Sequence, residues 1–276
     1  MTKVLYISGA VSADYQCDML FHGLRSLLGP DCVDVRRISF MYHDTPSPPF
    51  FTVYGLLPDI PVDREDIPGK IRARYFDAVI YGSVHRNRDY FDEVRAVYPP
   101  SRIAYIDGED DWSVAEIGPG LYFKRELNDG HPASYFPIEF CIPREKIRLD
   151  SPTKTRLMSP LIPGDPSTYL YYGDEPAYYD QYAVSYFGRT RLKGGWDCCR
   201  HYEIMAAGCL PYFEGLESCP TRTLFRLPKP ELLHARQLYD RGSLDLWEYL
   251  MEKVRTVLLR DLTTESMARY LLEKLT

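Results

Sequence analysis

The sequence lacks the short motifs that mark several common enzyme classes. It contains no GxSxG turn, no GxxxxGK[ST] loop, no HExxH pair and no GxGxxG after a strand. The common hydrolase, P-loop, zincin and classical dinucleotide-binding classes are therefore disfavoured. Seven cysteines are present without a CxxC pair, a pattern that fits neither a disulfide framework nor a zinc ribbon. We interpret them as reduced thiols.

Long apolar runs are also missing. No stretch approaches the ~18 apolar residues of a membrane span, and the apolar run near the N-terminus is too short for a signal-peptide core. The formal charge of -6 gives no global attraction to nucleic acid or to an anionic membrane surface. We therefore expect a soluble, cytoplasmic protein with no membrane span.

Strand and helix patterns alternate through the first half of the chain. The predicted elements are strands at 3–9, 32–38, 76–83 and 102–110, and helices at 12–29 and 88–98. This order is typical of a parallel sheet covered by its crossover helices. Two further short strands are expected within 120–127 and 135–143, and the second suits a sheet edge because prolines bound it.

The proline-rich stretch 42–69 interrupts this alternation. Irregular segments of this length in a compact domain are usually binding loops or lids, so we predict that role here.

The composition turns to proline, serine, threonine and glycine near 149–168, which marks the best domain boundary. Beyond it we predict helices at 174–184, 197–207, 243–262 and 263–275, and strands at 185–188 and 209–213. The resulting fold prediction is α/β, with two small Rossmann-like lobes and C-terminal helices. The lobes would span residues 1–150 and 151–276.

The segment "RLKGGWDCCRHYEIMAAGCLPYFEG" begins with basic residues and a glycine pair before a predicted helix. Gly194 and Gly195 leave room for close approach to the backbone, and the free amides of the helix start favour an anion. Arg191 and Lys193 add positive charge at the same end. A phosphate or diphosphate would fit here, although a glycine pair before a helix also occurs as a simple loop.

Arg200 and Glu203 lie on one face of this predicted helix, about one turn apart. The Glu203 carboxylate could accept two hydroxyl hydrogen bonds, as from a ribose, or could be a solvated charge.

The pattern R-x-x-E-x-x-x-x-G-x-x-P, formed by Arg200, Glu203, Gly208 and Pro211, resembles the donor-site segment of GT-B glycosyltransferases. It is most similar to exostosin-like and spore-coat-type enzymes. The resemblance implies a compact GT-B-like fold in which the first lobe binds the acceptor, the second binds a nucleoside-diphosphate sugar, and the final helices pack back against the first lobe. It makes Glu203 the ribose ligand and Arg200 with Lys193 the phosphate ligands, and it implies no metal or other cofactor requirement.

The implied reaction moves the sugar to an acceptor hydroxyl, which needs a base if the configuration inverts. Asp107 and Glu109 lie beyond the apolar part, "RIAYI", of the fourth predicted strand, and His85 follows the third, at the sheet edge where open α/β folds place ligands. Any of the three could act as general base. The acidic turn, which also contains Asp110 and Asp111, could instead hold a divalent cation or be solvated.

Two alternatives remain open. One is a non-catalytic nucleotide-sugar-binding module, suggested by Gly195, which stands where many retaining GT-B enzymes carry a second acid. The other is a nucleic-acid-modifying glycosyltransferase, which would need a basic rim. That rim would consist of Arg72, Arg74, Arg86, Arg88, Lys124 and Arg125. A glycan, a small molecule and a nucleic acid are all candidate acceptors, and the pattern specifies neither the donor sugar nor the stereochemical outcome.

Overall fold

The computed structural model describes residues 2–9, 12–48, 51–150, 152–168 and 174–275. In these ranges two parallel sheets are formed. The first contains β1 (Val4–Ile7), β2 (Cys32–Asp34), β3 (Ala78–Tyr81), β4 (Ile103–Asp107), β5 (Leu121–Lys124) and β6 (Phe136–Pro137). The second contains β7 (Arg156–Met158), β8 (Ser185–Arg191) and β9 (Leu210–Glu214). The strand orders are β2-β1-β3-β4-β5-β6 and β7-β8-β9.

Eight α-helices accompany the sheets within the described ranges. They are α1 (Tyr15–Leu28), α2 (Ile67–Arg72), α3 (Phe91–Val97), α4 (Glu175–Ala183), α5 (Cys199–Ala206), α6 (Lys229–Asp240), α7 (Trp247–Asp261) and α8 (Thr264–Lys274). We call the six-stranded sheet with α1, α2 and α3 the first lobe, and the three-stranded sheet with α4 to α7 the second lobe. No helix in the described part of the chain is long and apolar enough to cross a membrane.

The first sheet is buried on both faces, as its apolar strands require. Along β1, Val4 and Tyr6 belong to the core shared with α1 and α8, whereas Leu5 and Ile7 belong to the core shared with α2 and α3. This alternation follows from the two-residue period of a strand. The lobe therefore has three layers, helix on sheet on helix.

The larger core continues from the first lobe into the second. It contains Leu20 and Phe21 of α1 together with Phe187 of β8, Tyr202 of α5 and Leu210 of β9. The two sheets are thus joined by one apolar interior.

The last helix, α8, packs against α1 of the first lobe, while α7 packs on α5 and α6 of the second. The Thr264 hydroxyl lies 2.9 Å from Nδ1 of the buried His22. Thr263 caps α8 by accepting from the Ser266 amide. Of the two tail helices expected to return to the first lobe, α8 does so and α7 stays with the second.

The α/β class and the parallel sheets are confirmed. Strand β6 lies at the edge of the first sheet, as its bounding prolines indicated. The predicted boundary region at 149–168 contains a strand, β7, and the proline-rich stretch ends in a helix, α2. Neither was predicted, because β7 has only three residues and α2 only six, with Pro68 in its first turn.

Candidate functional site

The carboxyl ends of both sheets face one junction between the lobes. Arg125, which follows β5, donates to the carbonyl oxygen of Asp197, which lies beyond β8, over 2.8 Å. Its guanidinium also contacts the Asp110 carboxylate, and Asp110 in turn lies against Gly194 of the second lobe. Because parallel α/β sheets bind ligands beyond their carboxyl ends, this junction is the candidate site.

The glycine pair lies in close contact with acidic side chains of the first lobe. A Cβ atom on Gly194 would overlap the Asp110 carboxylate, and one on Gly195 would overlap the Glu126 carboxylate. Glu126 is buried and accepts from the Asp197 amide over 2.9 Å. Acids of the first lobe are thus close neighbours of both glycines, and close approach of a ligand to the same backbone stays a prediction.

A cavity of about 330 Å³ lies beside this glycine pair, at the carboxyl end of β8. Its lining includes three basic side chains and no acidic one: Arg191, Lys193 and Arg200, with Pro163, Gly164 and Leu192. Arg191 is held in place by a 3.1 Å hydrogen bond to the Pro163 carbonyl. The structure therefore brings the predicted phosphate ligands together around one opening.

The start of α5 contributes to the same opening. Arg200 belongs to its first turn, and the N-cap residue Cys198 makes no side-chain capping bond. Burial raises the pKa of both the Cys198 and Cys199 thiols, which disfavours a nucleophilic thiolate. The positive end of the helix dipole adds to the charge of the three basic side chains.

Glu203 is buried and already hydrogen-bonded. Its carboxylate accepts from Thr52 over 2.5 Å, from Tyr178 over 2.8 Å and from Tyr179 over 3.3 Å. Burial raises the pKa of Glu203, and the hydrogen bonds from Thr52 and Tyr178 oppose that rise. Oε1 of Glu203 accepts from Thr52 and Tyr179 and Oε2 accepts from Tyr178, so a ribose that bonds to both carboxylate oxygens competes with Thr52 or Tyr179 at Oε1.

On the first-lobe side, Asp107 and His85 form a pair. Asp107 ends β4, is fully buried, and lies 3.1 Å from Nε2 of His85 and 3.2 Å from the ammonium of the equally buried Lys124. The Tyr122 hydroxyl donates to Asp107 over 2.5 Å. His85 keeps about a quarter of its side chain exposed, at 27%. Of this pair, His85 is the member that can touch a ligand, and Asp107 orients it.

The remaining acids of the turn are separated from one another by their own partners. Glu109 lies 3.5 Å from Arg86, and Asp111 accepts from the Ser113 amide over 2.8 Å. The described residues contain no group of three His, Cys, Asp or Glu side chains that could hold a metal ion. The turn is therefore arranged for local hydrogen bonds and ion pairs.

The predicted basic rim does not form. Lys124 and Arg125 are buried in contacts with acids of the first lobe. Arg72 and Arg74 precede β3, whereas Arg86 follows it, so they lie at opposite ends of that strand. These cations do not make one surface along which a nucleic acid could bind.

Sequence reasoning missed the residues that surround Glu203 and Asp107. Thr52 comes from the proline-rich stretch and Tyr178 and Tyr179 from α4, and each reaches Glu203 only through the tertiary fold. Lys124 was assigned to the basic rim, but it is buried against Asp107. One local pattern could have indicated the contact between Lys124 and Asp107. In "YFKREL" an apolar strand ends in Lys124, and this strand pairs with the one that ends in Asp107.

No protein-family model matches the chain, and no curated protein sequence matches it significantly. The geometry of the junction therefore carries the functional conclusion.

Proposed function

We propose that this protein is a compact, GT-B-like glycosyltransferase that moves a sugar from a nucleoside-diphosphate sugar to an acceptor hydroxyl. The supporting observations are the second-lobe cavity lined by Arg191, Lys193 and Arg200, and the His85–Asp107 pair at the carboxyl end of the first-lobe sheet. Gly194, next to the cavity residue Lys193, lies against Asp110 of the turn that follows Asp107, which connects the two. Cations on one side and a positioned histidine on the other are what displacement of a diphosphate by a hydroxyl needs.

On the donor side, the bond between the anomeric carbon and the diphosphate oxygen breaks, and negative charge develops on the leaving group. Arg191, Lys193 and Arg200 stabilise that charge, together with the amides at the start of α5. The fixed positions of these groups matter because they require no reorganisation as the charge forms.

On the acceptor side, His85 removes the hydroxyl proton as the new bond to the anomeric carbon forms. Nε2 of His85 lies against Asp107, so Nε2 carries the ring proton and donates it to the Asp107 carboxylate. Nδ1 is then the atom that accepts the hydroxyl proton. Asp107 stabilises the imidazolium that results. A single displacement of this kind inverts the anomeric configuration.

The binding half of the proposal is tested by titrating the protein with UDP, GDP, ADP, CDP and inorganic pyrophosphate in a calorimeter. We expect at least one nucleoside diphosphate to bind, and Lys193→Gln to weaken it about tenfold or more, because a hydrogen bond to a charged group contributes roughly 1.5–3 kcal/mol. The matched control is Lys253→Gln, an exposed lysine on α7. Failure of every nucleotide to bind would sink the proposal.

The catalytic half is tested with the nucleotide sugar of the base that binds. His85→Ala should reduce transfer or donor hydrolysis by about 10²–10⁴-fold, the usual contribution of a general base, with unchanged nucleotide affinity. His43→Ala, an exposed histidine, is the control. Binding without turnover in the wild-type protein would favour the non-catalytic module.

A further inference from the structure

A short piece of the proline-rich stretch lies directly on the second lobe. We call residues 51–54 the cover segment. The Thr52 hydroxyl donates to Glu203, and the Thr52 amide donates to the Tyr15 hydroxyl over 3.0 Å. Val53 donates its amide to Oε1 of Glu175 over 2.9 Å. The segment thus closes over the face of α5 that carries Glu203.

The far end of the cover segment is held by a second buried acid. The Tyr54 hydroxyl donates to Oδ2 of Asp18, in α1, over 2.8 Å. Val53 has a φ of 65°, a left-handed conformation that β-branched residues rarely adopt. Such a conformation persists only where the surrounding contacts hold it in place.

The contact at Glu203 has the chemistry of a nucleotide contact. The threonine hydroxyl is a secondary alcohol, as are the ribose 2′- and 3′-hydroxyls. It donates to Glu203, the carboxylate that the resemblance to GT-B glycosyltransferases assigns to the ribose. Thr52 and a ribose therefore compete for one acceptor, whereas the basic cavity is lined by other residues.

We propose that the cover segment is an autoinhibitory plug, in which Thr52 occupies the ribose-hydroxyl position and nucleotide binding displaces it. This inference rests on the proposed function. The apparent affinity for a nucleotide is then the intrinsic affinity multiplied by the fraction of molecules in which the segment is open. Any change that weakens the plug without touching the nucleotide raises that fraction.

The test compares Thr52→Val, which removes the hydroxyl at nearly constant volume, with Thr52→Ser, which keeps it. Each variant is titrated with the nucleoside diphosphate that the wild-type protein binds and with pyrophosphate. We expect Thr52→Val to lower the nucleotide Kd about tenfold, the equivalent of one hydrogen bond. Pyrophosphate affinity should not change, and Thr52→Ser should behave as wild type.

Two further variants protect the test from trivial effects. Tyr54→Phe loosens the segment at Asp18, away from Glu203, and should also tighten nucleotide binding. Thr45→Val, in the same stretch, removes a hydroxyl that donates to the exposed Asp44 and should change nothing. Thermal unfolding of each variant shows whether it is folded.

Unchanged or weaker nucleotide binding by both Thr52→Val and Tyr54→Phe would overturn the plug. An equal gain for pyrophosphate would overturn it as well, because the competition would then not be at the ribose position. If no variant binds any nucleotide, the proposed function itself fails, which is a different outcome from failure of the plug alone.

Discussion

Buried carboxylates concentrate near the junction, and neutral donors hold several of them. Asp18 accepts from the Tyr54 hydroxyl and from the Asp14 amide, the latter over 2.7 Å. Asp197 accepts from the Phe140 amide over 2.7 Å and from the Tyr202 hydroxyl over 3.0 Å. Burial raises the pKa of Asp18 and of Asp197 to about 7. Protonation of these residues therefore falls in the neutral pH range.

Asp18 should make the free energy of unfolding depend measurably on pH. Its pKa is raised from 3.8 to about 7 in the folded protein, so its contribution to stability is present in full below about pH 4 and is lost as the pH rises through 7. Asp18→Asn removes this loss. We expect the free energy of unfolding of the variant to gain on that of the wild type by up to roughly 4 kcal/mol between pH 4 and pH 8, measured in urea.

Asp44→Asn provides the comparison for that experiment. The exposed Asp44 is hydrogen-bonded to Arg37, which lowers its pKa, so its small effect on stability has the opposite dependence on pH. A difference between Asp18→Asn and wild type that stays constant from pH 4 to pH 8 would contradict the assignment.

At the scale of elements, α1 and α8 meet through a glycine. A Cβ atom on Gly23, in the middle of α1, would overlap the backbone carbonyl of Thr264 at the start of α8. Backbone cannot move aside as a flexible side chain can. The close approach also lets His22 reach the Thr264 hydroxyl.

Gly23→Ala should therefore lower the free energy of unfolding by about 1–3 kcal/mol or more, because the added methyl overpacks the contact. In an exposed helix the same change would raise stability by about 0.5–1 kcal/mol through helix propensity. Whether Gly23→Ala lowers or raises the free energy of unfolding therefore tests the contact. Ser26→Ala, an exposed position on α1, is the control, and denaturant unfolding of both variants is the measurement. A more stable Gly23→Ala variant would refute the contact.

Most elements with a buried apolar face were predicted, whereas the three-residue β7, the six-residue α2 and the twelve-residue α6 were missed. The patterns at 12–29 and 102–110 become α1 and β4, because each has enough apolar residues to define a buried face. β7 has exposed Arg156 and Leu157 and no such face, so its three residues form a strand only by pairing with β8. Tertiary pairing decides elements of this length.

The candidate site shows the same limit over longer distances in the chain. Lys193, Arg200 and the start of α5 lie within one segment, so local chemistry indicated their common cavity. One hydrogen-bond partner of Glu203, Thr52, is 151 residues away, and nothing in the local sequence indicates that contact. His85 was a candidate base, but its pairing with Asp107 depends on the neighbouring positions of β3 and β4.

At the scale of the whole molecule, the contact of Gly195 with Glu126 joins the lobes. Gly195→Ala should lower the free energy of unfolding by about 1–3 kcal/mol, because the new Cβ must displace a buried carboxylate that holds the Asp197 amide. Chemical denaturation gives the value. Gly130→Ala, where the nearest atom to the new Cβ is a side-chain oxygen at 3.1 Å, should change stability far less. Equal effects of the two substitutions would show that the contact is unimportant.

The apolar interior shared by the two sheets limits how the molecule can move. Rotation of one lobe against the other as a rigid body would expose side chains such as Leu20 and Phe187, which belong to the same buried cluster. Each square ångström of apolar surface so exposed costs roughly 25 cal/mol. Displacement of a few loop residues, such as those that carry Thr52, is therefore a less costly route to the junction than rotation of a whole lobe.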